Sequence, residues 1–278
     1  MASPFGSFAT TYSYYFKNYY RSKSFYLMLI IIVLVSVLLS YFSIRYINDL
    51  SKIFPGIPAS SFTLPIREDV LGYIWSFVMT DLPVFAAVFF GSSAISSEIE
   101  NKTAYHIFPL PVSRFNLLVS KYFAAVSVTI IVISIYVAMQ AGVFFYLFGS
   151  VIPALPKSYL LLVLFIFSVM ALTFLISSIF NKNTYAYISV FLIYFLVFNA
   201  YLIVEELLFK TTPYYLLNVA ASIIKDVYLN ASSNPFSSST TLNSPSTSEM
   251  LRSILIMVIY GIVSFSVAAV IFERKDVK

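Results

Sequence analysis

Six stretches of the 278-residue chain are almost wholly apolar: Phe25–Ile44, Leu71–Ile95, Tyr122–Phe148, Tyr159–Ile179, Tyr185–Val204 and Ile254–Phe272. A hydrocarbon layer ~30 Å thick takes about 20 residues of helix to cross, and each stretch meets that length. Strands of a transmembrane barrel would instead alternate apolar and polar positions over about ten residues. These runs are apolar on every side, so they predict an all-α polytopic protein with six membrane-spanning helices. The first run is too long for a signal-peptide core and no A-x-A-like site follows it, so it is expected to persist in the mature protein.

Ahead of the first span, Phe5, Phe8, Tyr12, Phe16 and Tyr19 recur at spacings of 3, 4, 4 and 3. That places five rings on one helical face, with Lys17, Arg21 and Lys23 at the C-terminal end. The pattern predicts an amphipathic helix over residues 5–22, lying in a headgroup layer. Inside the first span, Ser36 and Ser40 form a small-xxx-small pair that permits close helix approach. Between the first two spans, Pro55, Pro58 and Pro65 mark an irregular connection.

The last loop, residues 205–253, divides in two. Thr212 is placed to cap a helix starting at Pro213, whose apolar face would carry Leu216, Val219, Ala220, Ile223 and Val227 as far as about Tyr228. This helix is expected to lie on, or dip into, the membrane surface. Beyond it the stretch NASSNPFSSSTTLNSPSTSE is too polar to build a core. Within it Asn230-Ala-Ser232 is an acceptor pattern for N-glycosylation, if that loop is outside.

Composition sharpens this picture. Hydrophobic residues make up 60% and charged residues 10% of the chain, far from the roughly one-quarter charged norm of soluble domains. With the N-terminus inside, ten of the seventeen Lys and Arg residues fall in cytoplasmic segments (Lys17, Arg21, Lys23, Lys102, Arg114, Lys121, Lys182, Arg274, Lys275 and Lys278), as positive-inside bias requires. The orientation expected is therefore a multi-pass protein of the cell membrane with both termini cytoplasmic. The formal charge of +5 reflects that bias. No basic cluster interleaved with stacking aromatics suggests a nucleic-acid face.

Candidate chemistry is sparse. The absence of cysteine excludes disulfides and thiolate sites. Seven scattered glycines give no phosphate-cradling loop, and the single His106 makes no histidine metal cluster. No catalytic triad or zinc motif is present. Within the spans the one Asp, Glu, Lys, Arg or His is Asp81. At 1.5 Å per residue it lies near mid-membrane, where a charge costs ~2.5–3.5 kcal/mol. It is therefore expected to face the bundle or a wet cavity, either as a pathway residue or as an acid hydrogen-bonded between helices. Pro83 nearby predicts a kink.

The strip ISSEIENKTAYHIFPLPVSRFNLLVSK, Ile95 to Lys121, holds two carboxylates, three cations, the chain's one histidine and two closely spaced prolines between two apolar spans. Ser97-x-x-Glu100 has the form of a capping box, and Glu98 and Glu100 would then complement a helix dipole. This predicts a short helix from about Glu98 to Phe108, stopped by Pro109 and Pro111, with Ser113 capping the helix that carries Arg114 and Lys121 into the third span. Glu98-x-Glu100-x-x-Thr103, followed by Pro111-Val112-Ser113-Arg114 and Lys121, resembles the signature between the second and third helices of ATP-binding-cassette (ABC) type-2 exporter permeases. That pattern is commonly written E-x-E-x-G-T, then P-[IV]-[ST]-R and a Lys. The six-span layout and long last loop agree with it, while Lys102 departs from it, standing where the family commonly has Gly.

The resemblance implies a permease subunit, not an enzyme, that pairs with a second copy or paralogue and binds separate ATP-binding subunits carrying the ATP and Mg. Residues 96–121 would be the coupling strip, with Glu98, Glu100, Thr103, His106, Pro111, Ser113, Arg114 and Lys121 serving the ATPase contact. The second and fifth spans would line the substrate path, with Phe77, Asp81 and Phe85 on one and Phe195 and Asn199 on the other. Two rival classes remain: a membrane-embedded lipid or glycan transferase, which would need clustered acids or histidines, and a secondary transporter, which would favour inverted repeats and broken helices.

Overall fold

The computed structural model describes residues 4–50, 62–102, 113–229 and 245–275. Among these residues every regular element is helical. They are α1 (Pro4–Tyr20), α2 (Lys23–Tyr46), α3 (Leu64–Phe90), α4 (Ser93–Glu100), α5 (Arg114–Phe148), α6 (Ala154–Ile179), α7 (Asn183–Phe209), α8 (Leu217–Ala221), α9 (Ile223–Asp226) and α10 (Thr247–Arg274). Six rods, α2, α3 with α4, α5, α6, α7 and α10, are long and apolar enough to cross a membrane.

Local chemistry accounts for the ends. Ser22 accepts the Phe25 N–H and donates to the Tyr19 carbonyl, which turns α1 sharply into α2. Ser113 caps α5 through the Asn116 N–H, as its position before an apolar run predicts. α5 ends on Gly149 with φ +73°, the left-handed conformation that glycine adopts without strain. Ser246 and Glu249 form a reciprocal capping box at the start of α10. At 35 residues, α5 is about 52 Å long, so it reaches well beyond a hydrocarbon layer and carries Arg114 to Lys121 out with it.

The bundle packs around α6, against which α10 makes its most extensive contact. There Ser168 donates to the Met257 carbonyl of α10. Near the middle of α3, Trp75 is fully buried, donates to Ser43 of α2 and packs on Tyr136 of α5. Tyr136 returns a hydrogen bond to the Trp75 carbonyl. By contrast α2, α7 and α10 keep most of their apolar side chains on the outside, as expected of helices whose outer face meets lipid or another subunit.

Two expectations are corrected. First, Ser97-x-x-Glu100 does not begin a helix. α4 starts at Ser93, the Ser97 hydroxyl turns back to the Ser93 carbonyl, and the helix ends after Glu100. The pattern is sequence-local, whereas α4 is an extension of the spanning rod past the Gly91 junction; residues 103–112 lie outside the described ones.

Among the described side chains, the aromatic stripe of α1 packs on the bundle. The Phe8 ring meets Phe123, Tyr12 donates to Ser127 of α5, and Tyr19 meets Phe90 of α3. Tyr14 and Tyr20 are the exposed rings. The stripe therefore holds α1 against α3 and α5.

Second, the helix expected from Pro213 to Tyr228 is two short pieces, beginning at Leu217 and broken at Ser222. Its apolar side chains are buried in the bundle: Ser158 of α6 donates to the Ile224 carbonyl, and Gln140 of α5 to the Tyr228 hydroxyl. The Tyr228 ring packs against Gly72 of α3 and leaves no room there for a Cβ. This segment therefore re-enters the bundle and forms one wall of a cavity.

Candidate functional site

At the strip end of the bundle, charged side chains hold the ends of neighbouring helices. Lys121, 1% exposed, pairs with Glu98 and donates to the Ala94 carbonyl at 2.9 Å. Its Nζ also lies 4.9 Å from the centre of the Tyr15 ring, and the Tyr15 hydroxyl donates to Glu98 Oε1 at 3.2 Å. One cluster thus joins α1, α4 and α5. Burial raises the Tyr15 and Tyr19 pKa values, and the Glu98 carboxylate adds to both shifts. A cavity of about 340 Å³ opens beside the cluster, lined in part by Tyr14, Ser93 and Ser97.

The other strip residues act on helix ends. Glu100 Oε2 accepts the Asn183 N–H at 2.8 Å, which is an orphan donor of the first turn of α7, at the positive end of its dipole. Arg114 donates to the Glu273 and Lys275 carbonyls at 2.9 and 3.2 Å, at the negative end of α10. Lys275 in turn donates to the Ser178 and Phe180 carbonyls at 2.7 and 3.2 Å, closing α6; burial lowers its pKa. The Ser177 hydroxyl of α6 donates to the Ser92 carbonyl and accepts the Ile95 and Ser96 N–H groups. The strip is therefore fastened to α1, α5, α6 and α7, and Arg114 extends the network to α10. After Glu100, Lys102 adopts φ +56°, so the backbone has the conformation of a glycine even though the residue is lysine.

A second site lies farther along the bundle. Phe77, Asp81 and Phe85 recur at i, i+4 and i+8 on α3, so they share one face. On α7, Phe191, Phe195 and Asn199 do the same. Phe85 packs against Phe191 and Phe195 at centroid separations of 6.4 and 5.2 Å. Phe77, Asp81 and Asn199 line a cavity of about 390 Å³ together with Thr80, Tyr194, Glu206, Asn218, Ser222 and Lys225. In α7 the residues Leu192–Val197 form a π-helical turn, and Asn199 donates to the Phe195 and Tyr194 carbonyls there. Asn218 of α8 donates to Asn199 Oδ1 at 3.4 Å.

Of the residues singled out in sequence, Glu98, Lys121, Glu100, Ser113 and Arg114 thus gather at one end, and Phe77, Asp81, Phe85, Phe195 and Asn199 gather between α3 and α7. Thr103, His106, Pro111 and Asn230 lie outside the described residues. Sequence reasoning missed Tyr15, Ser177, Lys275 and Lys225. Tyr15 had a signal, because Phe8, Tyr12, Tyr15 and Tyr19 also follow helical spacing. Lys225-Asp226 had one too, as a charged pair inside an apolar stretch.

A search among curated proteins finds no significant match. The sequence model of the ABC-2 family transporter proteins matches residues 15–277, from the aromatic helix to the end of the last span. With that match over nearly the whole of a six-rod helical bundle, the chain belongs to the ABC-2 family of transporter proteins and is a multi-pass membrane permease.

Proposed function

We propose that the chain is the permease subunit of an ATP-driven exporter, working as a pair and coupled to separate ATP-binding subunits that carry the ATP and Mg. The observation that supports this most directly is the fastening of the strip: through Glu98–Lys121–Tyr15, Glu100–Asn183 and the Ser177 hydroxyl it engages α1, α5, α6 and α7 at once. A partner pushing on the exposed turn at Asn101 and Lys102 would move these helix ends together, since packed elements transmit displacement as units. The orientation proposed places this end in the cytoplasm, where Lys17, Lys102, Arg114, Lys182 and Lys275 satisfy the positive-inside rule. The outward apolar faces of α2, α7 and α10 leave room for a second permease subunit.

The groove between α3 and α7 is proposed as the substrate path. Motion at the strip would reach it along α3, which carries Asp81, and along α7, whose first N–H is held by Glu100. The π-helical turn between that N–H and Asn199 is a place where α7 can change its winding.

The test is purification of the tagged chain from its native membranes, with ATP hydrolysis measured on the isolated complex. A co-purifying ATPase, lost in Lys102→Glu but retained in Lys102→Gln, is the expected result. Lys102 is chosen over Glu100 and Arg114 because those two hold helix ends inside the chain, so reversing them would confound docking with folding. Absence of any ATP-hydrolysing partner overturns the proposal. Cysteines at Lys102 and Lys210 should label from opposite sides of sealed vesicles.

A further inference from the structure

The cavity between α3, α7 and the re-entrant α8–α9 segment holds more acid than base. Asp81 and Glu206 line it against one lysine, Lys225. That lysine is already engaged: its Nζ lies 4.8 Å from the centre of the Phe77 ring and 5.7 Å from that of Tyr73. Asp81 is placed differently. Among the described residues no hydrogen bond or ion-pair contact reaches its carboxylate, although Lys225 acts on it electrostatically across the cavity. The remaining walls divide into apolar surface from Phe77, Tyr194 and Leu202, amide groups from Asn199 and Asn218, and hydroxyls from Thr80 and Ser222.

We infer that this cavity binds an organic cation with an apolar body, its charge beside Asp81 and its body against Phe77, Tyr194 and Leu202. The inference rests on the groove being the substrate path and specifies the class of compound that path accepts. An anion would meet two carboxylates, with the one ammonium already covered by aromatic faces. A neutral solute would leave the Asp81 charge unanswered in a poorly solvated place. A bare Ca2+ or Mg2+ ion takes six or more oxygen ligands, whereas an organic cation is recognised by one carboxylate together with ring faces, both of which attract it. Such a mixture of apolar wall and a few convergent polar groups is the usual build of a small-molecule site.

The experiment uses the full chain in lipid nanodiscs and follows binding of benzyltrimethylammonium by saturation-transfer NMR, with benzyl alcohol and benzenesulfonate as neutral and anionic comparators. The cation should bind at least tenfold more tightly than either comparator, and Asp81→Asn should remove that preference. Lys225→Gln should tighten cation binding, because it removes the one like charge; a gain of this kind is not produced by misfolding. Equal binding of cation and alcohol, a preference surviving in Asp81→Asn, or weaker cation binding in Lys225→Gln each overturns the inference. Its failure is separable from that of the exporter reading. If the probe is ignored while an ATPase co-purifies, the substrate class is wrong; if the probe binds with the predicted variants and no ATPase is found, the coupling is wrong.

Discussion

Replacing Lys121 by methionine asks whether the joint between α1, α4 and α5 is held by charge or by packing. Lys121 is 1% exposed and Glu98 13%, so water screens the pair weakly. Removing one member of a buried pair typically costs ~3–5 kcal/mol, whereas replacing both members with groups of similar volume is often close to neutral. Methionine keeps most of the lysine stem and loses the bond to the Ala94 carbonyl, and it strips Glu98 of its ammonium. Lys121→Met and Glu98→Gln are therefore each expected to cost ~3–5 kcal/mol. The double variant retains an acceptor for the Tyr15 hydroxyl and is expected within ~1.5 kcal/mol of the parent. The coupling energy read from the cycle should then exceed ~2 kcal/mol. Unfolding can be followed in mixed micelles through Trp75, the chain's one tryptophan, which is buried against Tyr136. Trypsin cleavage at Lys17 and Arg21 gives a second readout, since release of α1 should speed it in each single variant and not in the double. If the double variant loses as much as the two singles added together, the pair is not a unit and the joint is held by packing.

Lys102→Gly should stabilise the protein by about 1 kcal/mol, because glycine adopts φ +56° without the Cβ penalty; a destabilised variant would show that the lysine side chain contributes more than its backbone costs. Gly72→Ala should cost ~1–3 kcal/mol by overpacking against Tyr228, with Tyr228→Leu in the same chain restoring part of the loss; full stability of the single variant would refute the close approach. Burial raises the Asp226 pKa, with Lys225 and the Ser222 hydroxyl opposing the shift. The folded state then binds this proton more tightly than the unfolded one, so its contribution favours folding at low pH and is lost as pH rises through the unfolded value of ~3.9 and the higher folded one. Asp226→Asn should therefore flatten the stability profile above that value, and an unchanged slope would refute the assignment.

Much of the architecture is decided by the sequence alone. The six apolar runs predict the six long rods because in lipid the backbone of a spanning segment satisfies its hydrogen bonds locally, so length and hydrophobicity suffice. The Ser113 cap and the grouping of Phe77, Asp81 and Phe85 follow from helical periodicity for the same reason. Lys102 was legible as a departure from the family pattern, though not as a strained turn. What the sequence could not decide was which side chains answer one another across helices. Ser97-x-x-Glu100 matched a capping box, but Glu98 is held by Lys121 and Tyr15, and Glu100 by the first N–H of α7. The α1 stripe was amphipathic in either setting, and only packing shows that its apolar face meets α3 and α5. Lys225 comes to face Asp81 because the segment after α7 turns back into the bundle over Gly72. That return depends on a hydrogen bond from Ser158 and room for the Tyr228 ring, interactions between residues far apart in the chain that no local pattern encodes.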